Sequence, residues 1–226
     1  MYILVILSLI ITIGAQIHVH ASFSKYSKVR NSRGITGAEA ARQLLLDHGI
    51  TDVQIEPIPG NLTDHYDPRS NIIRLSENVY DKDSVAAVGV AMHEAGHAVQ
   101  YAQNYAPIRL RNAIVKTTNI SSTVSYLLVL AGIFFGGGRG RLGYMLMTLG
   151  ILFFLVVVFF QLITLPVEFN ASGRAVRSLA NSSLLDAEEQ AGVRKVLSAA
   201  ALTYVAAVAT SLLQLVSLLA IRGRRR

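Results

Sequence analysis

Four stretches of the chain are apolar over membrane-spanning lengths, and the polar residues between them follow a different pattern. Residues 2–17 (YILVILSLIITIGAQI) carry no charge, nor do residues 118–138. Residues 142–167 (LGYMLMTLGILFFLVVVFFQLITLPV) and 199–221 (AAALTYVAAVATSLLQLVSLLAI) are also uncharged. About 20 such residues in a helix cross the hydrocarbon core, so the pattern predicts four spans. The first is the shortest. It lacks a basic segment ahead of it and is followed by His18-Val19-His20-Ala21-Ser22, a poor cleavage site, so it reads as an uncleaved anchor over residues 1–20. The second span carries Thr118, Asn119, Ser121, Ser122, Thr123 and Ser125 before its apolar centre, Tyr126 to Phe135, and needs protein neighbours to cover those hydroxyls. Residues 136–141 (GGGRGR) form a flexible connector, which makes residues 118–167 an antiparallel hairpin whose outer ends return to one side of the membrane.

Between the first two runs the periodicity changes. Thr36-x-x-Glu39 is a capping box ahead of Ala40, Ala41, Leu44 and Leu45 at helical spacing, and Gly49 is a stop signal, predicting an amphipathic helix over 37–48. His48 sits in its last turn, where it complements the helix dipole. Val53 and Ile55 alternate with polar residues up to Pro57, and Ile72 to Leu75 form a second β-prone run. With turns at Pro59-Gly60-Asn61 and Asp67-Pro68-Arg69-Ser70-Asn71, two or three short antiparallel strands are expected. A strand placed here could receive an extended peptide. Asp64-His65-Tyr66-Asp67 reads as a turn held by side-chain hydrogen bonds, or as a source of a substrate contact from His65 or Tyr66. Ser84 to Tyr101 (SVAAVGVAMHEAGHAVQY) then reads as a helix over 84–103, capped by Asp83 or Ser84 and buried on most sides.

Composition agrees with the spans: 52% of the 226 residues are hydrophobic and 15% charged. The net charge of +7 arises from basic residues flanking the apolar runs, a placement suited to lipid headgroups and not to nucleic acid, for which no aromatic-interleaved basic patch exists. With no cysteine, disulfides and thiolate metal ligands are excluded.

The chemistry lies at His93-Glu94-Ala95-Gly96-His97. Four residues apart on a helix, His93 and His97 share a face and can hold one metal ion, while Glu94 can act as general base on a water activated there. With six His and seven Glu in the chain, chance supplies this pattern roughly 0.005 times. Gly96 costs about 1 kcal/mol of helix propensity relative to Ala, which points to a close approach at that position.

A catalytic zinc of this kind takes a third protein ligand. No His follows His97, and four carboxylates do: Glu168, Asp186, Glu188 and Glu189. Asp186-x-x-Glu189 suits the start of the final long helix. Glu168 follows the third span, with Pro166 able to begin a new helical segment, and the hairpin returns it toward the His93–His97 helix. The bland alternative pairs Glu168 with Arg174 or Arg177. Asn170 and Ser172, within one turn, can orient a ligand.

The segments LTDHYDPRSNIIRLS, AVGVAMHEAGHAVQYA, LPVEFNASGRA and DAEEQAGVRKVLSAAALTYVAA resemble the YugP-like neutral zinc metallopeptidases, a family of membrane proteases, over about residues 2–221. The resemblance implies one Zn2+ held by His93, His97 and Glu168, with Glu94 as catalytic base. The layout is also similar to membrane endopeptidases of the heat-shock and prenyl-protein-processing type, which place a helical hairpin between the two zinc motifs. Those have Asp four residues after the third ligand, where this chain has Ser172.

The expected architecture is a mainly α-helical integral membrane protein of four spans with a small α+β zincin-like domain of gluzincin type. Its parts are an anchor (1–20), the zincin-like domain (21–117), the hairpin (118–167), a helical segment with the third ligand (168–198), and a last span with a basic tail (199–226). Its partners are the bilayer and a peptide or membrane-protein substrate. Positive charge is divided: Lys25, Lys28, Arg30 and Arg33, with Arg109, Arg111, Lys116, Arg174 and Arg177, favour a cytoplasmic catalytic face, whereas Arg139, Arg141 and the tail Arg222 to Arg226 favour the opposite. An idle zinc-binding scaffold is the rival reading, against which the intact Glu94 counts. A transporter is disfavoured because the spans hold no charge, only Gln16, Gln161, Gln214 and hydroxyls.

Overall fold

The computed structural model describes residues 2–136 and 140–223. Met1, the connector residues Gly137 to Arg139 and the tail residues Arg224 to Arg226 lie outside the described residues, so the connector expectation and part of the charge argument fall there. The described elements are α1 (Tyr2–Tyr26), α2 (Gly37–Asp47), β1 (Gln54–Ile58), β2 (His65–Asp67), β3 (Ile72–Ser76), α3 (Val85–Ala102), α4 (Ala106–Phe134), α5 (Arg141–Asn181) and α6 (Ala187–Gly223). The protein is mostly helical, and α1, α4, α5 and α6 are long and apolar enough to cross a membrane. The chain divides into two compact units: Met1–Ala15 with Leu110–Leu165 and Thr203–Arg226, and Gln16–Arg109 with Pro166–Leu202.

In the first unit α4 and α5 pack as the expected hairpin. Ser125 Oγ donates to the Gly150 carbonyl at 2.8 Å, and a Cβ on Gly150 would stand 2.8 Å from Val129. The polar residues of the weakest span are only partly covered by neighbours: Thr118, Ser121 and Ser125 are buried, whereas Asn119, Ser122 and Thr123 are exposed, and Thr118 and Thr123 satisfy their hydroxyls within α4 on the carbonyls of Ile114 and Asn119, four residues back.

The second unit is built on α3. Ser84 caps it, its hydroxyl accepting from the Ala87 N–H. Helix α2 has the full capping box: Thr36 N–H donates to Glu39 at 2.8 Å and Glu39 N–H to the Thr36 hydroxyl at 3.3 Å. It ends at Gly49 with φ +71°, and His48 Nδ1 lies 2.9 Å from the Leu44 carbonyl. Leu44, Ile73, Leu75, Val88, Met92, Val99, Ala175 and Leu179 form the buried centre.

Two expectations are corrected. The sheet is mixed, not antiparallel, in the order β1-β3-β2: β1 runs parallel to β3, and β2 antiparallel to it. Burial decides the order. Ile73 and Leu75 are fully buried and place β3 in the middle, while Pro57, which has no N–H to donate, belongs to an edge. Nor does Pro166 begin a new segment, because α5 runs through it to Asn181. A proline inside a helix costs about 3 kcal/mol. Val167, Ala171, Ala175 and Leu179, all fully or almost fully buried on the far side, hold the helix continuous.

Candidate metal centre

Gly96 fixes how near α5 comes to α3. A Cβ there would lie 2.6 Å from the Ala171 carbonyl oxygen, so only glycine admits this approach, as its helix-propensity cost suggested. The approach carries Glu168, one turn before Ala171, onto the two histidines. Glu168 Oε2 lies 3.2 Å from His93 Nε2 and 3.4 Å from His97 Nε2, and the candidate donors of the three residues all fall within 4.8 Å of one another. Among the described residues this is the His and carboxylate cluster able to hold a metal ion.

The distal ring nitrogens are occupied. His93 Nδ1 lies 3.0 Å from Ser172 Oγ, and His97 Nδ1 lies 3.0 Å from Gln100 Oε1. The Gln100 amide has a defined orientation, because its Nε2 donates to the Val167 carbonyl at 2.8 Å and to Asn170 Oδ1 at 3.0 Å. Its oxygen therefore accepts from His97, whose proton sits on Nδ1. In the neutral ring Nε2 then presents a lone pair toward a buried carboxylate oxygen 3.4 Å away, a contact satisfied either by a metal ion or by a second proton on the ring. Burial opposes a charge on His97, yet the hydrogen bond to Glu168 and the nearby Glu94 and Glu168 carboxylates raise its pKa overall.

Two imidazoles and one carboxylate suit zinc, and donors arranged tetrahedrally at about 2.0–2.1 Å from an ion stand about 3.4 Å apart, close to the His–Glu separations here. The residues thus fit zinc in donor type, spacing and the support of both imidazoles.

Glu94 is buried beside the cluster, with Oε2 accepting the Tyr66 backbone N–H at 3.1 Å. That N–H comes from β2, whose neighbour Asp64 is tied to β3 by the Ser76 N–H (2.7 Å) and hydroxyl. Burial raises the Asp64 carboxyl against those two bonds, with the Glu94 charge a further contribution. Tyr66 is otherwise engaged: its hydroxyl donates to Asn71 Oδ1 at 2.8 Å, and burial first, then nearby Tyr101 and acidic groups, push it up to about 12. His65 remains exposed on β2 with Nδ1 2.8 Å from the Thr63 carbonyl. The 64–67 segment is therefore a strand as well as a turn, and it meets Glu94 through its backbone.

Arg174 is not a partner of Glu168: it donates to Asn170 Oδ1 and Gln103 Oε1. Asp186 and Glu189 form a second capping box, with bonds of 2.8 and 2.9 Å, and Glu189 also accepts the Ser32 N–H. The structure thus brings together His93, His97, Glu168 and Glu94, with Ser172 and Asn170 beside them. Sequence reasoning passed over Gln100, although a glutamine one turn beyond His97 in an apolar helix is a readable signal. The Tyr66 N–H leaves none, being backbone.

A chain with four helices long and apolar enough to cross a membrane and a largely enclosed two-histidine, one-carboxylate centre is the class these features define. The chain belongs to the family described as "Putative neutral zinc metallopeptidase", whose sequence model matches residues 1–223. It is 49% identical over 212 residues to the "Putative membrane protease YugP" of Bacillus subtilis (strain 168), covering 94% of this chain and 92% of that protein. No solved structure matches the chain significantly.

Proposed function

We propose that the protein is a zinc-dependent membrane endopeptidase with one ion per chain, held by His93, His97 and Glu168, with a zincin-like domain of gluzincin type over residues 21–117 and the third ligand on the helical segment 168–198. The convergence of His93 Nε2, His97 Nε2 and a Glu168 carboxylate oxygen on one point is the observation that carries the metal reading. Membership of the zinc metallopeptidase family supports peptide hydrolysis as the activity. When bound, zinc supplies a Lewis acid that polarises the scissile carbonyl and acidifies water.

The chain's own residues supply the proton transfers. Glu94 has one oxygen held by the Tyr66 N–H, and its other oxygen takes a proton from the attacking water and delivers it to the departing amine nitrogen. Ser172 and Gln100 orient the two imidazoles, and Asn170 steadies Gln100. The basic residues between the first and second spans, with Arg174 and Arg177, support a cytoplasmic catalytic face against the opposing Arg139, Arg141 and tail arginines, and reporter fusions to residues 18–117 would check it.

The deciding experiment uses the reconstituted full chain and a library of quenched-fluorescent peptides. Glu94→Gln should keep its zinc while turnover falls by about 10²–10⁴-fold, and Glu168→Ala should lose the zinc. Undiminished hydrolysis by Glu94→Gln would sink the proposal. Zinc without hydrolysis in the wild type would favour the scaffold reading.

A further inference from the structure

Tyr26, at the end of α1, packs against Gly192 in the second turn of α6: a Cβ at 192 would stand 2.9 Å from the tyrosine ring. From this contact both helices lead toward uncharged runs, α1 back into residues 2–17 and α6 on into residues 199–221. Between them lies a cavity of about 450 Å³, lined by Lys25, Ser22 and His18 on α1 and by Arg194, Lys195 and Ser198 on α6. No carboxylate lines it. Among the described residues none of Lys25, Arg194 and Lys195 is in an ion pair. Of the acidic residues at the start of α6, Asp186 and Glu189 are committed to the backbone there and to Ser32, and Glu188 does not line the cavity.

The depth of the cavity is legible from the chain. His18 follows Ile17 and Ser198 precedes Ala199, so the lining begins where the two apolar runs end. From His18 to Lys25 is a rise of about 10 Å, enough to cross the headgroup layer of one leaflet, roughly 5–7 Å. One turn deeper on the same helix faces stand Ile17, four residues from Ala21, and Leu202, four from Ser198, both exposed. Cations and hydroxyls at headgroup depth, with apolar side chains directly below, match an amphiphile whose polar end is anionic.

We propose that this cavity binds the headgroup of an anionic phospholipid, with the phosphodiester held by Lys25, Arg194 and Lys195, the headgroup hydroxyls by Ser22 and Ser198, and the acyl chains lying along Ile17 and Leu202. The site is independent of the peptidase reading.

The test uses the full chain in neutral detergent, titrated with short-chain phosphatidylglycerol, short-chain phosphatidylcholine or glycerol 3-phosphate, and counts bound ligand by native mass spectrometry. Saturable binding of phosphatidylglycerol is expected, with neither of the other two matching it. Arg194→Gln combined with Lys195→Gln should weaken that binding roughly 30-fold, and Lys25→Gln alone about fivefold, at about 1 kcal/mol per basic residue. These side chains are exposed, so the variants should melt like the wild type. Lys28→Gln with Arg33→Gln, equally basic but outside the cavity, should bind like the wild type. An equal loss in that control would assign the effect to diffuse surface charge and overturn the site. Equal binding of phosphatidylcholine, or of glycerol 3-phosphate, would also overturn it, the latter in favour of a free phosphate ester.

Discussion

Adding one methyl group at Gly96 should cost the protein its metal without removing any ligand. The new Cβ would lie 2.6 Å from the Ala171 carbonyl oxygen, and contacts under 3.0 Å are not sustained, so the helices must part by at least 3.0 − 2.6 = 0.4 Å. The obstacle is backbone, which cannot rotate aside. Glu168 lies three residues before Ala171 on the same helix and moves with it, whereas His93 and His97 stay with α3. A ligand tolerates about 0.2 Å of displacement at a metal site, so the shift exceeds what the centre can absorb. Zinc affinity should fall by about 10–100-fold, as for loss of a group that positions a ligand. Overpacking costs about 1–3 kcal/mol, and replacing a helical glycine by alanine returns about 1 kcal/mol, so global stability should change by only about 0–2 kcal/mol. Competition for zinc against a chromophoric chelator, with thermal melting of the metal-free protein alongside, separates the two effects. Gly14→Ala is the matched control, since a Cβ there meets nothing within 4 Å. A wild-type competition curve for Gly96→Ala would refute the reasoning.

Gln100→Ala should lower zinc affinity by a similar 10–100-fold and destabilise the protein by about 1–3 kcal/mol, because it removes the partner of the buried His97 Nδ1 and the side-chain donor shared by Asn170 Oδ1 and the Val167 carbonyl. Metal titration and melting curves check both. Thr36→Ala removes the hydroxyl half of the α2 cap and should cost about 1 kcal/mol in chemical denaturation. The Glu39 carboxyl is held below its usual 4.5 by the Thr36 N–H and then by the hydroxyl. Its contribution is therefore complete above that value and is lost as the pH falls through the lower, folded one. Glu39→Gln should flatten this acid-side loss in melts taken from neutral pH down to about pH 3. A fragment ending near residue 117 has His93, His97 and Glu94 but neither Glu168 nor Ser172, and equilibrium dialysis should find no tightly bound zinc. Tight zinc binding by that fragment would contradict the assembly described here.

What the chain alone determined follows from local rules. Uncharged runs of about 20 residues have few alternatives to spanning helices, because a bilayer satisfies no backbone group. Thr36 with Glu39, and Asp186 with Glu189, close their own helix starts within four residues, and His93 and His97 share a face through the pitch of α3 itself. Gly96 announced a close approach by its cost, without naming its partner. The tertiary structure decided the remainder, where the groups that meet are far apart in sequence or belong to the backbone. Glu168 reaches His93 across 75 positions because α5 stays helical through Pro166, a continuity that the proline itself argues against and the burial of Val167, Ala171 and Ala175 enforces. The order β1-β3-β2 puts β2 at an edge, where the Tyr66 N–H is free to hold Glu94. Spacing along one helix could name two ligands and a base. Only packing between helices could bring the third ligand to them, since that contact depends on how closely two backbones pass.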